Sequence, residues 1–104
     1  MSVIMLQWAK GDPHRLEEYA AQNPEGIKEI IALAKEHGLI AHRFYGSEGQ
    51  ILIADEWPDE ESFVRFAEAA QSRIEPMFEA AGVTAEPHTI WRKLETQDEV
   101  GWGA

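Results

Sequence analysis

Three residues able to act together chemically fall on what reads as one strand pair. His42, Asp55 and Trp57 lie in two β-rich runs, Leu39–Tyr45 and Gln50–Trp57, joined by Gly46-Ser47-Glu48-Gly49. Two glycines bracketing a short connection mark a β-hairpin. With Tyr45 opposite Gln50, His42 faces Ile53 and Ile40 faces Asp55, so His42 and Asp55 are diagonal neighbours. Alternation then places Ile40, His42, Phe44, Ile51, Ile53, Asp55 and Trp57 on one face of the hairpin. An imidazole oriented by a carboxylate is the arrangement of a general base, because the acid fixes the tautomer and stabilises the cation. Trp57 and Phe44 would supply a flat apolar wall for an aromatic substrate. The plainer alternative is a hydrogen-bonded, half-buried histidine beside a salt-bridged acid. A one-residue register slip would scatter the group.

A second group, His88, Trp91 and Arg92, lies on the final β-rich run, with Trp91 on the opposite face from the other two. Arg92, together with Arg43, is placed to hold an anionic substrate or to steady a developing phenolate or enolate. The same arginines would equally pair with the acids between Asp55 and Glu61. Trp8, Trp57 and Trp91 each sit near a strand end, either lining one cavity or filling the core and a subunit seam. No metal is expected, since His14, His37, His42 and His88 are scattered and no cysteine helps. No phosphate loop or nucleophile-elbow serine appears either. Any chemistry is therefore expected from side chains alone, without a cofactor, and the alternative is a non-catalytic dimeric module that binds a small ligand or serves a regulatory role.

These residues need a frame, and the remaining pattern supplies one. Val3 to Trp8 reads as a strand. Gly11-Asp12-Pro13 stops it, with Asp12 as N-cap and Pro13 at the first position of a short helix carrying Leu16, Tyr19 and Ala20. Asn23-Pro24 repeats that signal for a main helix ending at Gly38, with Ile27, Ile30, Ile31 and Ala34 as its apolar stripe. Asp59 caps a helix that runs to Gly82, which Pro76 is expected to kink or split. Thr84 to Leu94 is a last strand, weakened near Pro87. The order is β-α-β-β-α-β, an α+β ferredoxin-like pattern with one antiparallel sheet and its helices on one face. Residues 1–96 are read as a single domain and 97–104, which include Trp102, as a flexible tail.

Composition narrows the partners. The chain has 104 residues, a formal charge of -10, 44% hydrophobic residues and no cysteine. The charge opposes nucleic-acid phosphates and anionic lipid, and no apolar run is long enough to span a membrane. A soluble cytoplasmic protein is expected. Both faces of the hairpin are substantially apolar, whereas a two-layer monomer needs only one. The second face therefore predicts a homodimer, sheet against sheet, with a small apolar or aromatic ligand inside the shared barrel.

The element order, the length, and a strand ending Asp55-Glu56-Trp57 before an acid-capped helix resemble the dimeric α/β-barrel superfamily. The closest resemblance is to its antibiotic-biosynthesis-monooxygenase-like small proteins. Asp55 and Trp57 match the acid-any-Trp motif common in that group. The resemblance implies a dimeric barrel; cofactor-free oxygenation of aromatic polyketides and haem degradation both occur among its members. A histidine often found about nine residues beyond the Trp is Phe66 here, a departure that counts against haem ligation.

Overall fold

The computed structural model describes residues 1–102. Its elements are β1 (Val3–Lys10), α1 (Pro13–Gln22), α2 (Pro24–Glu36), β2 (Ala41–Ser47), β3 (Gln50–Trp57), α3 (Glu60–Ala81), β4 (Thr84–Ala85) and β5 (Thr89–Trp91). The strands form one antiparallel sheet in the order β2-β3-β1, with β4 and β5 both pairing the far side of β1. This is the expected α+β ferredoxin-like arrangement, with two helices of the first crossover and the long α3 on one face. Positions 103 and 104 of the expected tail lie outside the described residues.

Local signals explain where the elements begin and end. Asp12 caps α1 by accepting from the His14 backbone N–H at 3.0 Å. Asp59 does the same for α3 from Ser62 at 2.7 Å, and Gly82 ends that helix at φ 71°. Asn23 behaves differently from expectation: its side chain caps nothing in α2 and donates instead to the Tyr19 carbonyl at 2.9 Å. α3 runs unbroken through Pro76. Pro76 is exposed, so the carbonyl it leaves unpaired reaches water. The last strand is split into β4 and β5 around Pro87, which cannot donate to the ladder.

The hairpin differs in one respect that matters below. β2 extends to Ser47, which pairs with Gln50 across a two-residue turn whose Gly49 has φ 70°. The pairing is therefore shifted by two residues from the expected one, and His42 stands directly opposite Asp55. An even shift keeps every side chain within the paired strands on its expected face. Ile40 is the exception, because it precedes β2; it is exposed, while Leu39 packs against the core.

From Ile51 to Trp57, β3 alternates buried and half-buried residues. Its inner row, Ile51, Ile53, Asp55 and Trp57, meets Met5 and Ala9 of β1 and, from α3, Phe63, Phe66 and Ala70. Each large side chain buried there contributes about 1.5–3 kcal/mol. No helix of the described residues covers the other face of the sheet. Ile4, Trp8, Tyr45 and Trp91 are all exposed, Trp8 at 52% and Trp91 at 55%. The accessible surface is 7452 Å², against roughly 5,900 Å² for a compact monomer of this mass. No helix of the described residues is long and apolar enough to cross a membrane.

Candidate active site

Asp55 is the one charged residue that the described core buries, at 6% exposure. Two neighbours on its own face stabilise it there. His42 Nδ1 lies 2.6 Å from Oδ1, and Trp57 Nε1 donates to Oδ2 at 3.1 Å. A carboxylate only accepts, so the proton of the pair sits on Nδ1, and whenever the ring is neutral its lone pair is on Nε2. Asp55 thus selects the tautomer, and Trp57 selects the rotamer of Asp55. Trp57 in turn is fixed by Phe63 and Phe66, with ring centroids at 5.8 and 5.4 Å. Phe44 stands edge-on to the His42 ring at 4.9 Å.

His42 and Asp55 open onto a cavity of about 470 Å³ between the sheet and α2 and α3. That exceeds the roughly 300 Å³ at which pockets begin to take drug-sized ligands. Its walls are mainly apolar: Ile27, Ile30 and Ile31 from α2, Phe63 and Phe66 from α3, and Met5 and Ile53 from the sheet. The site therefore lies inside one chain, between its two layers. The cavity is in this position because the face carrying His42 is the one the helices cover.

The predicted residues separate accordingly. His42, Asp55, Phe44 and His88 line the cavity. Trp57 does not: it is 0% exposed and stands behind Asp55, so it acts on the carboxylate and not as a substrate wall. Trp8 and Trp91 are on the uncovered face; Trp91 Nε1 donates to Thr89 Oγ1 at 2.8 Å. The single cavity lined by three tryptophans is thus not formed. Arg92 is exposed beyond β5 and outside the cavity lining. Arg43 lies on the uncovered face, its guanidinium 5.9 Å from the Tyr45 ring centroid. Neither arginine reaches Asp55 to hold a substrate anion, because strand alternation turns Arg43 away and β5 ends before Arg92.

The sequence reading missed the polar rim. Gln7, Glu68, Gln71 and Glu75 line the same cavity. The three α3 residues recur at helical spacing beside the apolar stripe, which was the available signal. Phe66, at the position where a helix histidine would stand, is buried against Trp57. Among the described residues, no cluster of three His, Asp or Glu side chains is placed to hold a metal ion.

The fold has solved counterparts. SnoaB, a cofactor-independent oxygenase from Streptomyces nogalater, is 20% identical and matches 94% of this chain and 98% of its own, with a TM-score of 0.60. The fold is ferredoxin-like. A dimeric ferredoxin-like protein from an uncultured marine organism superposes with a TM-score of 0.62, at 12% identity over 91% of this chain and 90% of that one. A candidate antibiotic biosynthesis monooxygenase from Deinococcus radiodurans gives 0.57 at 16% identity, covering 95% and 99% of the two chains. Antibiotic-biosynthesis-monooxygenase-like proteins are thus among the ferredoxin-like neighbours, as the resemblance in sequence implied. No family model and no curated protein matches the chain.

Proposed function

We propose that this chain is a homodimeric, cofactor-independent oxygenase acting on an aromatic small molecule held in the cleft between sheet and helices. The observation that carries the reading is the carboxylate-oriented imidazole at the wall of an apolar cavity. In this scheme His42 Nε2 takes a proton from an activated carbon acid or phenol, and the Asp55 carboxylate stabilises the imidazolium that results. The substrate carbanion then reduces molecular oxygen. With anthrone as substrate, one methylene and one O₂ give the quinone carbonyl and one water. SnoaB, with the same fold, is a cofactor-independent oxygenase, which favours this chemistry over haem chemistry. The burial of Phe66 in the core favours it too.

The homodimer is supported by the uncovered face, where Ile4, Trp8, Tyr45 and Trp91 are exposed together, and by a dimeric neighbour of the same fold. The test is oxygen uptake with anthrone by the purified chain. Uptake is expected to fall ~10²–10⁴-fold in His42→Ala, the usual contribution of a general base. Uptake unchanged by that substitution refutes the base assignment.

A further inference from the structure

A second imidazole faces the cleft, and the base chemistry leaves it unused. His88 lies two residues before Ile90, which pairs with Met5 on the helix-covered face, and so it points toward α3. Its Nε2 meets Glu60 Oε2 at 3.0 Å, and its ring stands edge-on to Phe63 at 4.7 Å. Glu60 accepts from Nε2–H in this pairing, so the neutral form of the ring carries its lone pair on Nδ1. Two imidazoles that line the cleft are thus each fixed by a carboxylate, a buried one at His42 and an exposed one at His88. His42 is on β2, and the chain of His88 runs into β5 on the far side of β3 and β1. Three strand spacings separate them, about 14 Å across the sheet. Ile53 and Gln7 floor the space between.

The charge of the lining adds a constraint. Besides Asp55, the cavity carries the carboxylates of Glu68 and Glu75, and among the described residues no lysine or arginine lines it. A ligand with a permanent negative charge would meet these acids without a counter-charge.

We infer that His88, held by Glu60, is a second polar anchor of this cleft. The cleft takes an uncharged, elongated aromatic molecule bearing a hydroxyl at each end. One hydroxyl or activated carbon meets His42 Nε2; the other hydroxyl donates to His88 Nδ1. The ring system between them, two or three fused rings long, lies on Ile53 under the α2 isoleucines. The inference rests on the reading of the cleft as a small-molecule site.

Calorimetric binding to the full chain tests it with three probes of one shape. They are 2-naphthol, 2,6-dihydroxynaphthalene and 6-hydroxy-2-naphthoate. The diol is expected to bind roughly tenfold more tightly than 2-naphthol, the value of one further hydrogen bond. The naphthoate is expected to bind at least ~10-fold more weakly than the diol. His88→Phe should abolish the diol's advantage while leaving 2-naphthol within about twofold of its original affinity. Glu60→Gln, at an exposed position, should reduce the advantage without disturbing the core. The anchor is overturned if 2-naphthol binds and the diol binds no better, or if His88→Phe weakens both alike. A naphthoate as tight as the diol overturns the charge constraint. Failure of 2-naphthol itself to bind the wild-type chain would overturn the cleft reading, and the anchor with it.

Discussion

Replacing Asp55 by Asn alters hydrogen bonding at two atoms and almost nothing of shape. The carboxylate accepts from His42 Nδ1 at 2.6 Å and from Trp57 Nε1 at 3.1 Å. An amide has one acceptor and one donor end. Its NH₂ set against the Trp57 N–H, inside a core where Trp57 is 0% exposed, would strand a buried donor at a cost of about 1–3 kcal/mol. The amide oxygen therefore turns to Trp57 and the NH₂ to His42. The imidazole must then present a lone pair at Nδ1 and carry its proton on Nε2. The base is lost although every atom keeps its place. Each hydrogen bond to a charged acceptor also becomes a neutral one, worth ~1 kcal/mol less, so about 2 kcal/mol of stability goes from the pair. For a chain of this size that lowers Tm by roughly 10 °C. Long-range ¹H–¹⁵N spectra report the tautomer of His42, urea melts report the stability, and oxygen uptake with anthrone reports the chemistry. We expect an Nε2-protonated ring, the stability loss above, and uptake lowered ~10²–10⁴-fold. A His42 ring still protonated on Nδ1 in Asp55→Asn would refute the tautomer argument. A switched tautomer with wild-type uptake would refute the base assignment.

Other consequences are open to simpler measurements. Trp8→Glu combined with Trp91→Glu puts two charges on the uncovered sheet face and should convert a dimer into a monomer in sedimentation velocity; a monomeric wild type would remove the proposed seam. At Gly46, an added Cβ would sit 2.7 Å from the Pro13 Cβ at the start of α1. Gly46→Ala should therefore cost about 1–3 kcal/mol in urea unfolding, as overpacking against a rigid ring does. The backbone N–H of Ser62 holds the Asp59 carboxyl below its ordinary value of 3.8. Its contribution is present above that value and is lost as pH falls through the lower, folded one. Asp59→Asn should consequently give a flatter acid limb in a stability profile than the wild type, and an unchanged limb would refute the cap's role.

How much of this was legible in sequence depends on how local each signal was. Caps at Asp12 and Asp59, the break at Pro87 and the alternation in β3 are decided by near neighbours in the chain, and they were readable. The hairpin pairing was not, because Ser47-Glu48-Gly49 allows either a longer connection or a tight turn at Gly49, and only tertiary packing chooses. Gly46 packed on Pro13 of α1 is part of that choice. The shift was even, so His42 and Asp55 stayed on one face and came closer than expected. Trp57 departs from expectation for another reason. Its place on the same face as Asp55 was clear, but whether a large ring lines a space or fills one depends on α3, which brings Phe63 and Phe66 against it. Nothing in the hairpin sequence carries that information. Trp8 and Trp91 were grouped with it by position along their strands, and alternation puts them on the other side.

The same packing sets unequal terms for how this site can change over time. Trp57 belongs to the cluster that holds the two layers together, and Asp55 is buried beside it, so alterations there that change size or polarity cost stability along with any effect on the proposed chemistry. His42 and Phe44 sit on β2, an edge strand whose other residues are exposed. Substitutions at Phe44 alter the cavity wall while leaving the interior intact. A library that holds β3 fixed and varies β2 should therefore retain folded members in high proportion while sampling new specificities. New substrates would be reached from the rim of the sheet, with the orienting acid carried along unchanged.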